Sequence, residues 1–242
     1  MILGVIPARF ASTRFPGKPL VEIAGKSMIQ RVYEQALQSK HLNKVVVATD
    51  DERIREHVQA FGGEVHMTSP EHPSGTDRCA EVAAAFPDAK WVVNIQGDEP
   101  FIQPQQIDLL VDTLLAPTSP GIATLAKKIE VLEALDNPNL VKAVFSHIGE
   151  ALYFSRYAIP YMRGIAPEER LKHHNFYKHI GLYGFNKTIL QEITVLSPTA
   201  LEKAESLEQL RWLENGYRIA VQITDMETIG IDTPEDLAKL AL

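Results

Sequence analysis

The sequence predicts an α/β protein with a mostly parallel sheet and helices on both of its faces. Two observations carry this reading. Apolar runs of strand length alternate with stretches of helical periodicity in repeated β-α-β order. The length, 242 residues, suits a single large domain or one domain with a small attached lobe.

In chain order, Ile2 to Pro7 is a buried strand, and a long polar loop follows it. Met28 to Leu37 is an amphipathic helix, since Ile29, Val32, Tyr33, Ala36 and Leu37 recur on one face. Lys44 to Asp50 is a strand, Asp51 to Phe61 a helix stopped by Gly62 and Gly63, and Glu64 to Ser69 a short strand. A helix over Asp77 to Phe86 leads to a strand from Trp91 that breaks at Gly97. Ala123 to Ile129 and Leu140 to Ser146 read as further strands. Arg163 to Lys178 reads as an exposed excursion, within a small lobe expected around residues 150–190. His179 to Phe185 returns as a strand, Ala204 to Asn215 is a helix, and Arg218 to Ile223 is the last strand. Thr233 caps a closing helix that has Pro234 in its first turn.

Composition narrows the function. A chain this long buries enough surface to fold without disulfides, and its single cysteine, Cys79, fits a reducing compartment. The opening MILGVIPARF lacks a basic segment ahead of its apolar run, and no stretch reaches the length of a membrane span. A soluble, cytoplasmic protein without membrane insertion is therefore expected. The formal net charge of −7 argues against a nucleic-acid partner. It leaves room for a small polyanion, because Arg9, Arg14 and Lys18 are concentrated in one short segment.

Two phosphate motifs are absent. Gly25-Lys26-Ser27 ends like a P-loop, but Leu20 stands where the earlier glycine is required. No G-x-G-x-x-G follows the first strand. The loop Pro7 to Leu20 instead offers three cations, two hydroxyls and Gly17 at the carboxyl end of a buried strand. Such a surface neutralises a triphosphate as pyrophosphate departs. The segment Gln96-Gly97-Asp98-Glu99-Pro100 leaves another strand at the same edge, and Gly97 there is expected to let a ligand approach. Asp232 follows Ile229 and Ile231 in the same way, although it could equally start the final helix. Two carboxylates with phosphate oxygens and waters suit magnesium.

Taken together, the loop Pro7 to Leu20, Ser74 to Arg78 (SGTDR), Asn94 to Pro100 (NIQGDEP), Tyr153 to Arg156 (YFSR), His179 to Gly181 (HIG), Leu207 to Arg211 (LEQLR) and Asp232 to Leu237 (DTPEDL) closely resemble the CMP-Kdo synthetases, the 3-deoxy-manno-octulosonate cytidylyltransferases. The resemblance runs essentially end to end. Phe15 stands where a leucine is common, and Gly164 to Lys178 does not align clearly.

The resemblance implies a Rossmann-like nucleotidyltransferase fold, Mg²⁺ as cofactor, a homodimer, and CTP and Kdo as substrates. The reaction it implies transfers CMP from CTP to Kdo, releasing pyrophosphate, for lipopolysaccharide biosynthesis. By motif, Arg9, Ser12, Arg14, Lys18, Ser74, Arg78 and Asp98 would bind the nucleotide, and Asp98 and Asp232 the metal. Arg9, Lys18, Asp98 and Asp232 would be catalytic. Gln96, Arg156, Arg163, His179, Tyr183, Glu208 and Gln209 would line the sugar pocket, with a surface ion pair as the alternative for Arg156. Rival readings are the same chemistry on 8-amino-Kdo or a sialic acid, and a non-catalytic nucleotide-binding module. A zinc site at His173, His174 and His179 is disfavoured, because no cysteines support it. A metal-dependent glycosyltransferase is disfavoured because Asp98-Glu99 lacks D-x-D spacing.

Overall fold

The structure is a computed structural model that describes residues 1–11, 15–227, 230–231 and 233–238. Strand β1 (Ile2–Ala8) begins the chain, and a 3-10 turn at Lys18–Leu20 precedes a small hairpin of β2 (Glu22–Ile23) and β3 (Lys26–Ser27). Helix α1 (Met28–Ala36) starts where the Ser27 side chain accepts from the Gln30 amide. The β-α alternation continues through β4 (Lys44–Thr49), α2 (Glu52–Ala60), β5 (Val65–Met67), α3 (Gly75–Ala85), β6 (Trp91–Asn94), α4 (Pro104–Leu115) and β7 (Ile122–Lys128). The irregular middle comprises α5 (Leu132–Asp136), β8 (Lys142–Phe145), β9 (Ala151–Ser155) and α6 (Arg170–His173). The chain then forms β10 (Tyr177–Asn186), α7 (Lys187–Thr194), α8 (Ala200–Glu205), α9 (Glu208–Glu214), β11 (Ala220–Ile223) and α10 (Pro234–Ala238).

The main sheet runs β11-β7-β10-β6-β1-β4-β5, with β8 joining β10 and β9 joining β8. Strands β6, β1, β4 and β5 pair in parallel, as does β11 with β7. β10 runs antiparallel between β6 and β7. A mostly parallel α/β sheet is thus observed, with one reversed strand at its centre.

Strand alternation sorts the core into two layers. Ile6, Val45, Val47, Val93 and Ile95 pack against Ile29, Val32, Ile54, Leu110 and Leu114 on one face. Leu3, Val5, Val46 and Val92 pack against Cys79, Val82, Leu190, Leu210 and Trp212 on the other. Burying each such apolar side chain contributes about 1.5–3 kcal/mol before the opposing entropy.

Several sequence expectations shift. The helix expected over Ala204 to Asn215 is two helices, because Ser206 adopts a left-handed backbone with φ 52°. The helix expected from Asp77 starts at Gly75, since the Ser74 side chain caps it by accepting from the Asp77 amide. Helix α4 escaped the sequence reading altogether, although Ile107, Leu110, Val111 and Leu114 have helical spacing.

Candidate active site

β1 and β6 are parallel neighbours, with Val5 opposite Asn94, so the loops after them leave the same sheet edge side by side. The β1 loop closes at its neck, where the Gly17 amide donates to the Phe10 carbonyl at 3.0 Å. Gly17 has φ +72°, a region that glycine enters without strain. This turn delivers Lys18 to Asp98, and Nζ lies 2.7 Å from Oδ2. The basic loop and the acid after β6 therefore meet.

Gly97 has a different reason from the one the sequence suggested. A Cβ there would lie 2.8 Å from the Pro7 carbonyl oxygen, so the close approach is to the chain's own backbone. The small residue lets the two loops touch. The Asp98 carbonyl accepts from the Ile231 amide at 3.0 Å, which brings the C-terminal segment to the same edge. Asp232 itself lies outside the described residues, as do Ser12 and Arg14.

Arg9 donates through Nη2 to the His72 carbonyl. Arg78 is fully buried, bonds Thr68 and lies 3.3 Å from Asp50 at the end of β4. Burial lowers its pKa, Asp50 opposes that shift, and the charge of Arg9 adds to it. Ser74, besides capping α3, lies 2.6 Å from Asp77 Oδ2 and 2.9 Å from Glu208 Oε1. Thr76 bonds the other Glu208 oxygen, and burial raises the Glu208 pKa despite these two hydroxyls. The start of α3 and the start of α9 are thereby joined.

Five of the seven expected sugar-pocket residues lie on three neighbouring elements. Gln96 donates through Nε2 to the Gly181 carbonyl at 3.0 Å. Gly181 sits where the β10–β7 register shifts between Ile180 and Tyr183. The Thr124 hydroxyl is within 3.1 Å of the Ile180 carbonyl and 2.9 Å of the Leu182 carbonyl, and 2.9 Å from His179 Nε2. A hydroxyl has one proton, so donation to a carbonyl leaves it to accept from Nε2–H. Burial pushes the His179 pKa down to about 3, which keeps the imidazole neutral. Tyr183 lies against His179 and Trp212, and burial raises its phenol pKa. Glu208 and the buried Gln209 follow on α9.

Arg156 and Arg163 are placed apart from that group. The Arg156 guanidinium donates to the backbone carbonyls of Glu205, Pro138 and Ser206, at 2.7, 3.2 and 3.2 Å. Arg163 is exposed in the segment after β9. His173 and His174 are exposed at the end of α6.

Glu99 is a residue that the sequence reading passed over as a site candidate. Burial, with the adjacent Asp98 charge, pushes its pKa up to about 8, and its buried Oε2 has no hydrogen-bond partner among the described residues. Its place beside Asp98 was legible, but its burial depends on the tertiary fold. Glu99, His179, Gly181, Asn137, Asn139 and Asp236 are among the residues lining a cavity of about 420 Å³. Asn94 Oδ1 and Arg78 Nε, near the strand ends, are also buried with no hydrogen-bond partner among the described residues. Unpaired buried groups at one edge mark a surface suited to a polar ligand.

A mostly parallel sheet with a basic loop and an acid on adjacent strand ends has the architecture of the α/β nucleotidyltransferases. The chain belongs to the cytidylyltransferase family, whose model matches residues 3–223. It is 54% identical over 241 residues to a 3-deoxy-manno-octulosonate cytidylyltransferase of Cytophaga hutchinsonii, covering 99% of this chain and 96% of the relative. The enzyme of the same name from Porphyromonas gingivalis is 56% identical over 245 residues, covering 98% of this chain and 94% of the relative. A solved structure of CMP:2-keto-3-deoxy-manno-octonic acid synthetase complexed with CTP superposes with a TM-score of 0.91 at 42% identity, covering 99% of this chain and 96% of that one. Among the described residues, no helix is long and apolar enough to cross a membrane.

Proposed function

We propose that this protein transfers CMP from CTP to 3-deoxy-D-manno-octulosonate, forming CMP-Kdo and pyrophosphate for lipopolysaccharide biosynthesis. The observation that carries the reading is the 2.7 Å contact between Lys18 and Asp98, which unites a basic loop and an acid at one sheet edge. Full-length relatives at 54% and 56% identity that bear this enzyme's name support the choice of substrate.

In the proposed reaction the anomeric hydroxyl of Kdo attacks the α-phosphorus of CTP. The new O–P bond forms as the bond to pyrophosphate breaks, and the hydroxyl proton leaves to solvent. Lys18 and Arg9 bind the triphosphate and stabilise negative charge as pyrophosphate departs. Ser12, Arg14, Ser74 and Arg78 complete the nucleotide side. Gln96, His179, Tyr183, Glu208 and Gln209 orient the sugar by hydrogen bonds, the neutral His179 acting without a charge of its own. Arg156 and Arg163 belong to the sugar side, Arg156 through the backbone it holds.

Magnesium fits this residue set. Asp98 offers a partly exposed carboxylate beside a cation loop, and the chain just before Asp232 is bonded to Asp98. Asp98 and Asp232 would hold the ion, which when bound would neutralise phosphate charge.

The protein is proposed to act in the cytoplasm as a homodimer of one-domain subunits, with a small sugar-binding and dimerisation lobe around residues 150–190. Tyr157 and Tyr161 are exposed there, beside an apolar groove of about 370 Å³ between β8, β9 and the segment before β10.

The test is pyrophosphate release from CTP with a panel of acid sugars, with and without Mg²⁺. Turnover that needs CTP, Mg²⁺ and Kdo together is expected. Preference for 8-amino-Kdo or a sialic acid would overturn the substrate. CTP binding without turnover on any sugar would indicate a binding module.

A further inference from the structure

Lys142 opens β8 with its side chain at 0% exposure. A buried ammonium is costly unless its protons find acceptors. Here the acceptors are three backbone carbonyls, those of Asn137, Leu140 and Arg156, at 2.9, 2.7 and 2.6 Å. An ammonium has three protons, so all are used. Burial lowers the Lys142 pKa, and the more distant charge of Asp136 opposes that shift. Among the described residues no carboxylate pairs with it, so the lysine serves as a tie between main-chain segments rather than as half of an ion pair.

Those segments are a turn and a strand end. Asn137 to Leu140 is a β-turn with Pro138 at its second position, closed by the Leu140 amide donating to the Asn137 carbonyl at 3.1 Å. The Asn137 side chain accepts from the Asn139 amide at 2.9 Å, which stiffens the turn further. Local bonds thus set the shape of the turn but not its seat on the sheet. Lys142 bonds the first and last carbonyls of the turn and reaches across to the end of β9. Arg156 holds Pro138 from outside at 3.2 Å.

The seat matters because Asn137 and Asn139 line the same cavity as Glu99, His179 and Gly181. Both asparagines are exposed there, and their amides match sugar hydroxyls and a carboxylate in hydrogen-bonding character. We propose that Lys142 is a positioning residue for the acceptor sugar, seating the 137–140 turn so that Asn139 contacts the sugar. The proposal rests on the reading of this cavity as the sugar side of the site.

The test uses Lys142→Met, which keeps the stem and removes the donors, and Asn139→Ala, whose lost side chain makes no hydrogen bond among the described residues. Saturation kinetics would use whichever acid sugar the wild-type enzyme turns over. Both variants are expected to raise KM for that sugar by about tenfold or more, since a small misplacement costs this much in a tuned site. The calorimetric Kd for CTP and the kcat at saturation should stay within about threefold of wild type. Hydrogen exchange of residues 137–141 should quicken in Lys142→Met but not in Asn139→Ala. An unchanged sugar KM in Asn139→Ala, or equal weakening of CTP and sugar in Lys142→Met, would overturn the proposal. If Lys142→Met does not fold, Asn139→Ala decides alone. Absence of wild-type turnover on every sugar sinks the functional reading instead. The exchange comparison then still judges the tether, and unchanged exchange in Lys142→Met removes it.

Discussion

Lys18 and Asp98 stand 80 positions apart in the chain and 2.7 Å apart in space. Asn at position 98 can still accept a hydrogen bond from Lys18, so the fold should survive Asp98→Asn, while the charge that a divalent ion requires is gone. Turnover should fall by about a hundredfold or more. Circular dichroism and melting should match wild type, and a rate near wild type would remove Asp98 from the proposed metal site. Gly97 tests the scaffold beneath that pair. Gly97→Ala puts a Cβ 2.8 Å from the Pro7 carbonyl oxygen, so backbone must shift. A loss of about 1–3 kcal/mol in urea unfolding is expected, and an unaltered midpoint would show that the loops can part freely. His179 predicts a pH effect with a definite sign. Its folded pKa is about 3, against an unfolded value of about 6.5. Below that unfolded value the unfolded chain takes up a proton that the folded chain refuses. The stability tied to this group is therefore complete above about pH 6.5 and is lost as pH falls toward about 3. Gln at 179 does not titrate, so the stability gap between wild type and His179→Gln should narrow by about 2 kcal/mol from pH 7 to pH 5. A gap that does not narrow would mean that the ring reaches solvent in the native state.

Elements differ in how openly the sequence declares them. β1, β4 and β6 are short apolar runs ending in turn residues, and their order, parallel sense and shared edge follow from β-α-β alternation. The first loop and the acid after β6 were legible for the same reason. β10 was legible as a strand but not as an antiparallel insertion between β6 and β7, because an apolar run carries no direction. The ties among Ser74, Thr76 and Glu208 span more than 130 positions, and no local pattern announces them. Arg156 is a case where motif and geometry speak of different things, since its motif suggests a substrate contact and its guanidinium also bonds three backbone carbonyls. Ser206 illustrates why helix boundaries are hard to read. Leu207, Leu210 and Leu213 recur at helical spacing but all lie after the break at Ser206, so their period says nothing about where the helix begins. Ser206→Gly removes the Cβ strain at φ 52° while keeping the carbonyl that Arg156 bonds. It should stabilise by up to about 1 kcal/mol, and Ser206→Val should cost about 1–2 kcal/mol. Thermal melts of both would settle the point, and a stabilising valine would mean that the chain can run on as one helix.

At the scale of the whole molecule, two surfaces contrast. The sheet edge that gathers Lys18, Asp98 and Arg9 is polar and carries buried groups with no hydrogen-bond partner among the described residues. The far side of β8 and β9 exposes Leu152, Tyr157 and Tyr161 at 63%, 84% and 88%. Large apolar side chains held this openly around a groove favour burial against another protein surface. The groove lies next to β9 and the segment leading to Arg163, and its lining includes none of the described residues of the basic loop, so it is the face proposed here for a second subunit. Sedimentation equilibrium should therefore report twice the 27.0 kDa chain mass for wild type. A Leu152→Asp, Tyr161→Asp double variant should sediment as monomer, since each aspartate would have to leave water unpaired to enter the interface. Its CTP affinity, measured by calorimetry, should stay within about twofold, because the two substituted residues lie far along the chain from the basic loop proposed to bind the triphosphate. A wild-type monomer, or a double variant that remains dimeric, would move the interface away from this face.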